Sequence, residues 1–167
     1  MRIAPLVLVA AVVQVATIGG MRLLGAEPDI LLVTVVVIAL LAGSVVGAST
    51  GFAGGLLVDV MTLGTLGTTS LVLILAGYWA GRYGETTGRG RGYAPPLTAF
   101  ATTILAVLGG IALHVLLGES VSARTALGSL LPSALLAALL ALPIHRLARI
   151  VLADSALLVR QRRIELV

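Results

Sequence analysis

Long uncharged runs alternate along the chain with short stretches that carry charge, glycine or proline. The runs are Ile3 to Met21, Ile30 to Val58, Thr68 to Gly81, Leu97 to Gly118 and Ala126 to Ile144. A helix that crosses a bilayer needs about 20 mostly apolar residues, so each run is of membrane-spanning character. The first could be read as a secretory signal, because Arg2 precedes it. Its 19 residues exceed the roughly 7–15 of a signal core, and a second apolar run follows at once. It is therefore read as a retained first helix.

The second run has 29 residues. As one helix it would be about 43 Å long at 1.5 Å per residue, against a hydrocarbon core of about 30 Å. It suits two short helices better, a Val/Leu-rich one over 30–42 and a Gly-rich one over 47–61. Thr62 to Gly67 reads as a turn, Arg82 to Pro96 as a polar loop and Glu119 to Thr125 as another. Pro143 should kink or end the last span. The expected architecture is an all-α transmembrane bundle of six helices, with five as the alternative if the long run stays whole. Residues 1–152 form one transmembrane domain. Residues 153–167 form a basic tail, either frayed or lying on the membrane as an amphipathic helix.

Composition sharpens this picture. Apolar residues make up 59% of the 167 and charged residues 11%, mean hydropathy is +1.13, and cysteine is absent. So few polar groups cannot cover a water-soluble domain of this size, and a disulfide scaffold is excluded. All eleven basic residues are arginine, and the isoelectric point is near 10.7. These arginines sit between apolar runs and not along one face, so they mark topology and not nucleic-acid binding. Six helices with both termini inside place nine arginines on the cytoplasmic side, leaving Arg22 and Arg124 outside. Five helices give the same nine against two. Both versions put the 82–96 loop and the C-terminus in the cytoplasm.

Gly43, Gly47, Gly51 and Gly55 recur every four residues, and Gly77 and Gly81 repeat the spacing. Residues four apart stack on one helix face, so these glycines make a bare stripe that lets another helix approach closely. The register also suggests that the helix reaches back to Gly43. The occupant of the stripe is either a helix of the same bundle or, as a functional groove, a partner helix or a lipid. Asp59 ends an apolar stretch. A carboxylate in lipid is costly, so it is expected at the interface near the outer end of its helix, with a buried hydrogen-bonded role as the alternative. Pro28 and Asp29 suit a helix start. Gln14, His114 and His145 are the remaining polar candidates; His114 is expected to make an interhelical hydrogen bond and His145 to lie at the interface. Gly88-Arg89-Gly90-Arg91-Gly92 lacks the Lys-Ser/Thr of a phosphate-binding loop. No zinc motif, nucleophile elbow or paired-carboxylate arrangement is visible. No catalytic residue, metal ligand or cofactor is assigned.

Four segments in order carry a family resemblance. They are Pro28-Asp29 before a Leu/Val-rich helix; Gly51-Phe52-Ala53-Gly54-Gly55-Leu56-Leu57-Val58-Asp59; Gly64-Thr65-Leu66-Gly67; and Gly77-Tyr78-Trp79-Ala80-Gly81-Arg82. This series resembles MreD, the rod shape-determining membrane protein of bacterial cell elongation. The resemblance implies a non-enzymatic scaffold in the cytoplasmic (inner) membrane. It implies a six-helix fold like that of the substrate-binding subunits of energy-coupling-factor vitamin transporters. It further implies binding to MreC, a single-pass protein, within the complex that holds MreB, RodA and a class B penicillin-binding protein, together with self-association and contact with membrane lipid. Gly51, Phe52, Gly55, Asp59, Gly77, Tyr78 and Gly81 are the matching positions, and with Gly43 and Gly47 they are assigned to helix packing or partner contact. The alternative is a vitamin-type substrate-binding subunit of a transporter. Such subunits often dock through an Ala-xxx-Ala stripe in the first helix; here Ala10 is followed four residues on by Gln14, and Ala11 by Val15.

Overall fold

The computed structural model describes residues 3–18, 29–63, 65–87, 94–116, 118 and 123–164, with backbone alone at 17–18, 114, 123–127, 129 and 151–164. Six helices follow one another: α1 (Ile3–Ile18), α2 (Ile30–Ala42), α3 (Ser44–Thr62), α4 (Thr68–Thr87), α5 (Ala94–Leu116) and α6 (Ala123–Ile164). The described residues contain no strand. Ser44–Thr62, 94–113 and 130–150 are long and apolar enough to cross a membrane.

The long second run is two helices, and Gly43 divides them. Its φ of 102° lies where a side chain would be strained, so glycine is required there. Its N–H still donates to Ala39 O at 2.8 Å, closing α2, and its carbonyl accepts from Gly47 N at 2.9 Å, opening α3. Helix α3 thus reaches back to Gly43, its N-cap, as the four-residue register suggests, and stops there. The break also settles the choice between five helices and six.

Helix α2 is the centre of the bundle. Every residue from Leu31 to Leu40 is buried, and α1, α3, α4, α5 and α6 all pack on it. At 13 residues it is about 20 Å long, short for a spanning helix but suited to a core. Around it α3 and α4 form the most extensively packed pair, and α6 packs mainly on α5.

Several boundaries differ from the sequence reading: α3 starts at Ser44 and not at Gly47, and α6 starts at Ala123, inside the expected 119–125 loop. Helix α4 continues six residues past Gly81 to Thr87, and α5 begins at Ala94. Arg82, Glu85, Pro95 and Pro96 thus belong to helices. Pro95 and Pro96 fall in the first turn of α5, where the missing N–H costs no intrahelical bond. The intervening Arg89 and Arg91 lie outside the described residues, as do Arg22, Glu27, Pro28 and Gly64. Helix α6 does not end near Pro143. It runs through both Pro132 and Pro143 to Ile164, as helices in lipid can when local adjustments re-satisfy the freed carbonyls.

Candidate functional site

The chain's polar and small residues converge on the α3–α4 pair. Gly47, Gly51 and Gly55 of α3 face α4 along one stripe, and Gly77 and Gly81 of α4 answer them. A Cβ on Gly47 would stand 2.5 Å from the carbonyl oxygen of Gly77, and one on Gly55 would stand 2.5 Å from Cα of Ser70. Gly51 meets the backbone of Leu73, and Gly81 meets that of Ser44. At Gly51, Gly55 and Gly81 every near neighbour is main chain, which cannot rotate away, and Gly47 meets Ala39 Cβ of α2 as well as the Gly77 backbone. The stripe is therefore closed by a helix of the same chain, and a partner helix could enter it only by displacing α4. In lipid the attraction between helices is van der Waals contact and not exclusion of water, so backbone-to-backbone approach of this kind is what holds the pair together.

Each end of the pair is closed by a carboxylate from the opposite helix. Asp59 stands in the last turn of α3 and is 3% exposed. Its Oδ2 accepts from Gly67 N at 2.8 Å, from Ser70 N at 3.4 Å and from Ser70 Oγ at 3.3 Å. Its Oδ1 accepts from Thr69 N at 3.3 Å. Thr68 N donates to Thr65 O and Leu71 N to Gly67 O, so all four leading N–H groups of α4 are satisfied. The expectation of an exposed, interfacial Asp59 is thus corrected. Burial is tolerable because the positive end of the α4 dipole and a ring of donors surround the side-chain oxygens.

Glu85, near the end of α4, does the reciprocal work. Its Oε1 accepts from Ser44 N at 2.8 Å and from Ser44 Oγ at 3.0 Å, at the start of α3. Its Oε2 lies 3.6 Å from Arg82 Nη1. Both acids stand near the C-terminal, negative end of their own helix. Both are stabilised by the N-terminal end of the neighbour, so each favours the antiparallel pairing over any other.

A third cap closes α2. Gln14 of α1 accepts through Oε1 from Ile30 N at 2.8 Å and from Leu31 N at 3.4 Å. Asp29 accepts from Leu32 N at 2.9 Å through its side chain and from Val33 N at 3.1 Å through its carbonyl. Gln14 therefore ties α1 to the core helix. The capping roles of Gln14 and Glu85 escaped the sequence reading. The signal was present in principle: a helix that starts inside an apolar environment demands acceptors for its first N–H groups, and few side chains are on offer.

The other candidates fall elsewhere. Phe52 and Tyr78 project outward, 50% and 44% exposed, and Tyr78 meets Trp79 edge-on at 6.5 Å. His145 is half-buried in α6, five residues before the end of the apolar 130–150 segment, and its Nδ1 is buried without a hydrogen-bond partner among the described residues. The His114 side chain lies outside the described residues. Among the described residues no three His, Cys, Asp or Glu side chains gather as a metal site.

Taken together, this is a multi-pass helical membrane protein in which Gln14, Asp29, Asp59 and Glu85 close the starts of helices, while the buried threonines bond back to their own helices. The family described as rod shape-determining protein MreD matches residues 1–151. The chain belongs to the MreD family and is a rod shape-determining membrane protein. No curated protein and no solved structure matches it, so the likeness to vitamin-transporter subunits rests on the family resemblance alone.

Proposed function

We infer that this chain is a non-enzymatic scaffold of the bacterial cell-elongation complex. It sits in the cytoplasmic membrane with its C-terminus inside, binds an MreC-type single-pass protein, and supports lateral peptidoglycan synthesis alongside MreB, RodA and a class B penicillin-binding protein. The family match carries this reading. The geometry supports it, because Asp29, Asp59, Glu85 and Gln14 are engaged at helix termini, as a rigid scaffold would use them. The nine-to-two arginine bias supports the orientation.

Partner contact is assigned to the outward aromatic positions Phe52 and Tyr78, and the glycines to internal packing. The test is a membrane pull-down of the MreC-type partner with the wild type and with the Phe52→Ala, Tyr78→Ala double variant, alongside cell shape after depletion. We expect round cells on depletion and loss of the complex in the double variant. Undiminished capture with rod-shaped cells would reject these two positions as the docking surface. Normal shape on depletion would reject the scaffold role itself.

A further inference from the structure

Helix α6 is far longer than its neighbours. It has 42 residues against 23 in α5, on which it mainly packs. Its apolar segment, 130–150, is the part suited to the bilayer. Residues 151–164 continue the same α-helix, with no proline or glycine after Pro143 to break it. At 1.5 Å per residue they add about 21 Å.

One face of this helix changes character along its length. Successive residues are about 100° apart, so Leu131, Leu135, Leu139 and Leu142 share one sector, and all four are exposed. Farther along, Arg146, Arg149, Arg160 and Arg163 fall on the same third of a turn. Arg146 and Arg149 are exposed. Asp154 and Arg162 fall on other faces by the same register. A lipid-facing leucine stripe thus becomes an arginine stripe where the helix leaves the apolar segment.

Distance divides the four arginines. Arg146 and Arg149 lie at the end of the apolar segment, within reach of headgroups. Arg160 and Arg163 lie 10 and 13 residues past Ile150, about 15 and 20 Å along the axis. The headgroup layer is only about 5–8 Å thick on each side, and charges are screened beyond about 8 Å at physiological salt. An unbroken helix therefore carries the far pair out of the lipid's range. Nucleic acid fits poorly, because no aromatic side chain for stacking lies between 146 and 164. A second copy would oppose arginine with arginine. Between Arg149 and Arg160 the stripe holds only Ala153 and Ala156, which leave room for a close approach.

We propose that the end of α6 is a docking rod for an acidic protein surface on the cytoplasmic side, with Arg160 and Arg163 as its contacts. The proposal rests on the scaffold reading's placement of the C-terminus inside.

The chain has no cysteine, so Gln161→Cys in the full-length protein, level with the far pair and off the stripe, can be labelled alone. An impermeant maleimide should reach it only from the inner side of the membrane. Labelling from the outer side would overturn the topology itself, and with it the proposal. In nanodiscs with and without phosphatidylglycerol, a spin label there should stay accessible to a water-soluble nickel chelate. Headgroup depth in the anionic nanodiscs would give the stripe to lipid and overturn the docking rod while leaving the topology intact. A fluorescent oligoglutamate peptide serves as the acidic probe at physiological salt. Its binding should weaken about threefold in Arg160→Gln and in Arg163→Gln, the effect of one exposed ion pair. Arg162→Gln removes the same charge from another face and should leave binding unchanged. Equal losses in all three variants would reduce the effect to net charge and overturn the proposal. In cells, a photocrosslinker at Ala156 should attach to an acidic segment of a protein, and the Arg160→Gln, Arg163→Gln double variant should lose that adduct. A lipid, RNA or non-acidic protein adduct, or none, would also overturn it.

Discussion

The closeness of α3 to α4 makes a graded set of glycine substitutions the most direct test of how the bundle is held together. In Gly51→Ala the added methyl would stand 2.6 Å from the carbonyl carbon of Leu73. Ordinary contact begins near 3.4 Å, so the two backbones must part by at least about 0.8 Å, and further to clear the Leu73 carbonyl oxygen, which lies nearer still. Overpacking of a tight interior typically costs about 1–3 kcal/mol. The upper part of that range applies, because parting at Gly51 also loosens the Gly47–Gly77 and Gly55–Ser70 contacts on either side. Alanine regains about 1 kcal/mol of helix propensity over glycine, leaving a net loss of about 2 kcal/mol. Gly54→Ala is the inner control: its methyl meets only side-chain ends, Leu31 Cδ1 and Val7 Cγ1 at 3.1 Å, which can shift. Its net change should be under about 1 kcal/mol. Gly109→Ala is the outer control, with nothing within 4 Å, and should be neutral or slightly stabilising. The assay is reversible unfolding of the purified protein in mixed micelles with rising dodecyl sulfate, followed by Trp79 fluorescence. A Gly51→Ala variant as stable as Gly109→Ala would refute close backbone packing as the main source of cohesion.

Two further outcomes follow from the capped helix ends. Asp59→Ala leaves Gly67, Thr69 and Ser70 N–H groups without their acceptor; at about 1–3 kcal/mol for a buried unsatisfied group, we expect a loss of at least ~2 kcal/mol in the same assay, with Asp59→Asn intermediate because one oxygen remains. An Asp59→Ala variant within error of the wild type would show that the cap is dispensable. Gln14→Leu keeps the apolar bulk of α1 but removes the acceptor for Ile30 and Leu31, so it should cost about 1–3 kcal/mol and raise amide hydrogen exchange at the start of α2 while leaving α5 unchanged. Uniform exchange across both helices would contradict a local tie.

Much of the architecture was legible along the chain for simple reasons. Lipid demands long uncharged helices, so their number and approximate placement follow from where charges fall. The four-residue glycine spacing revealed a face made for close approach, because that period stacks residues on one side of any helix. Membership in a family of membrane proteins was legible in the segments around Asp29, Gly51–Asp59, Gly64–Gly67 and Gly77–Arg82.

Several features were not legible, and one physical fact explains most of them. The lipid surroundings are as apolar as the protein interior, so hydrophobicity does not distinguish a core helix from a peripheral one. The Val/Leu-rich α2 is wholly enclosed, while the Leu-rich α6 presents Leu131, Leu135 and Leu139 outward, and apolarity alone does not separate them. Only tertiary packing decided that the glycine stripe is filled by α4. Only packing showed that Asp59 and Glu85 each serve the neighbouring helix, since a cap supplied from another helix leaves no mark in local sequence. The sequence by itself determined that this chain consists of membrane helices with one unusually bare face. The fold determined which helix lies against that face and, by enclosing it, which surfaces remain for lipid and partner.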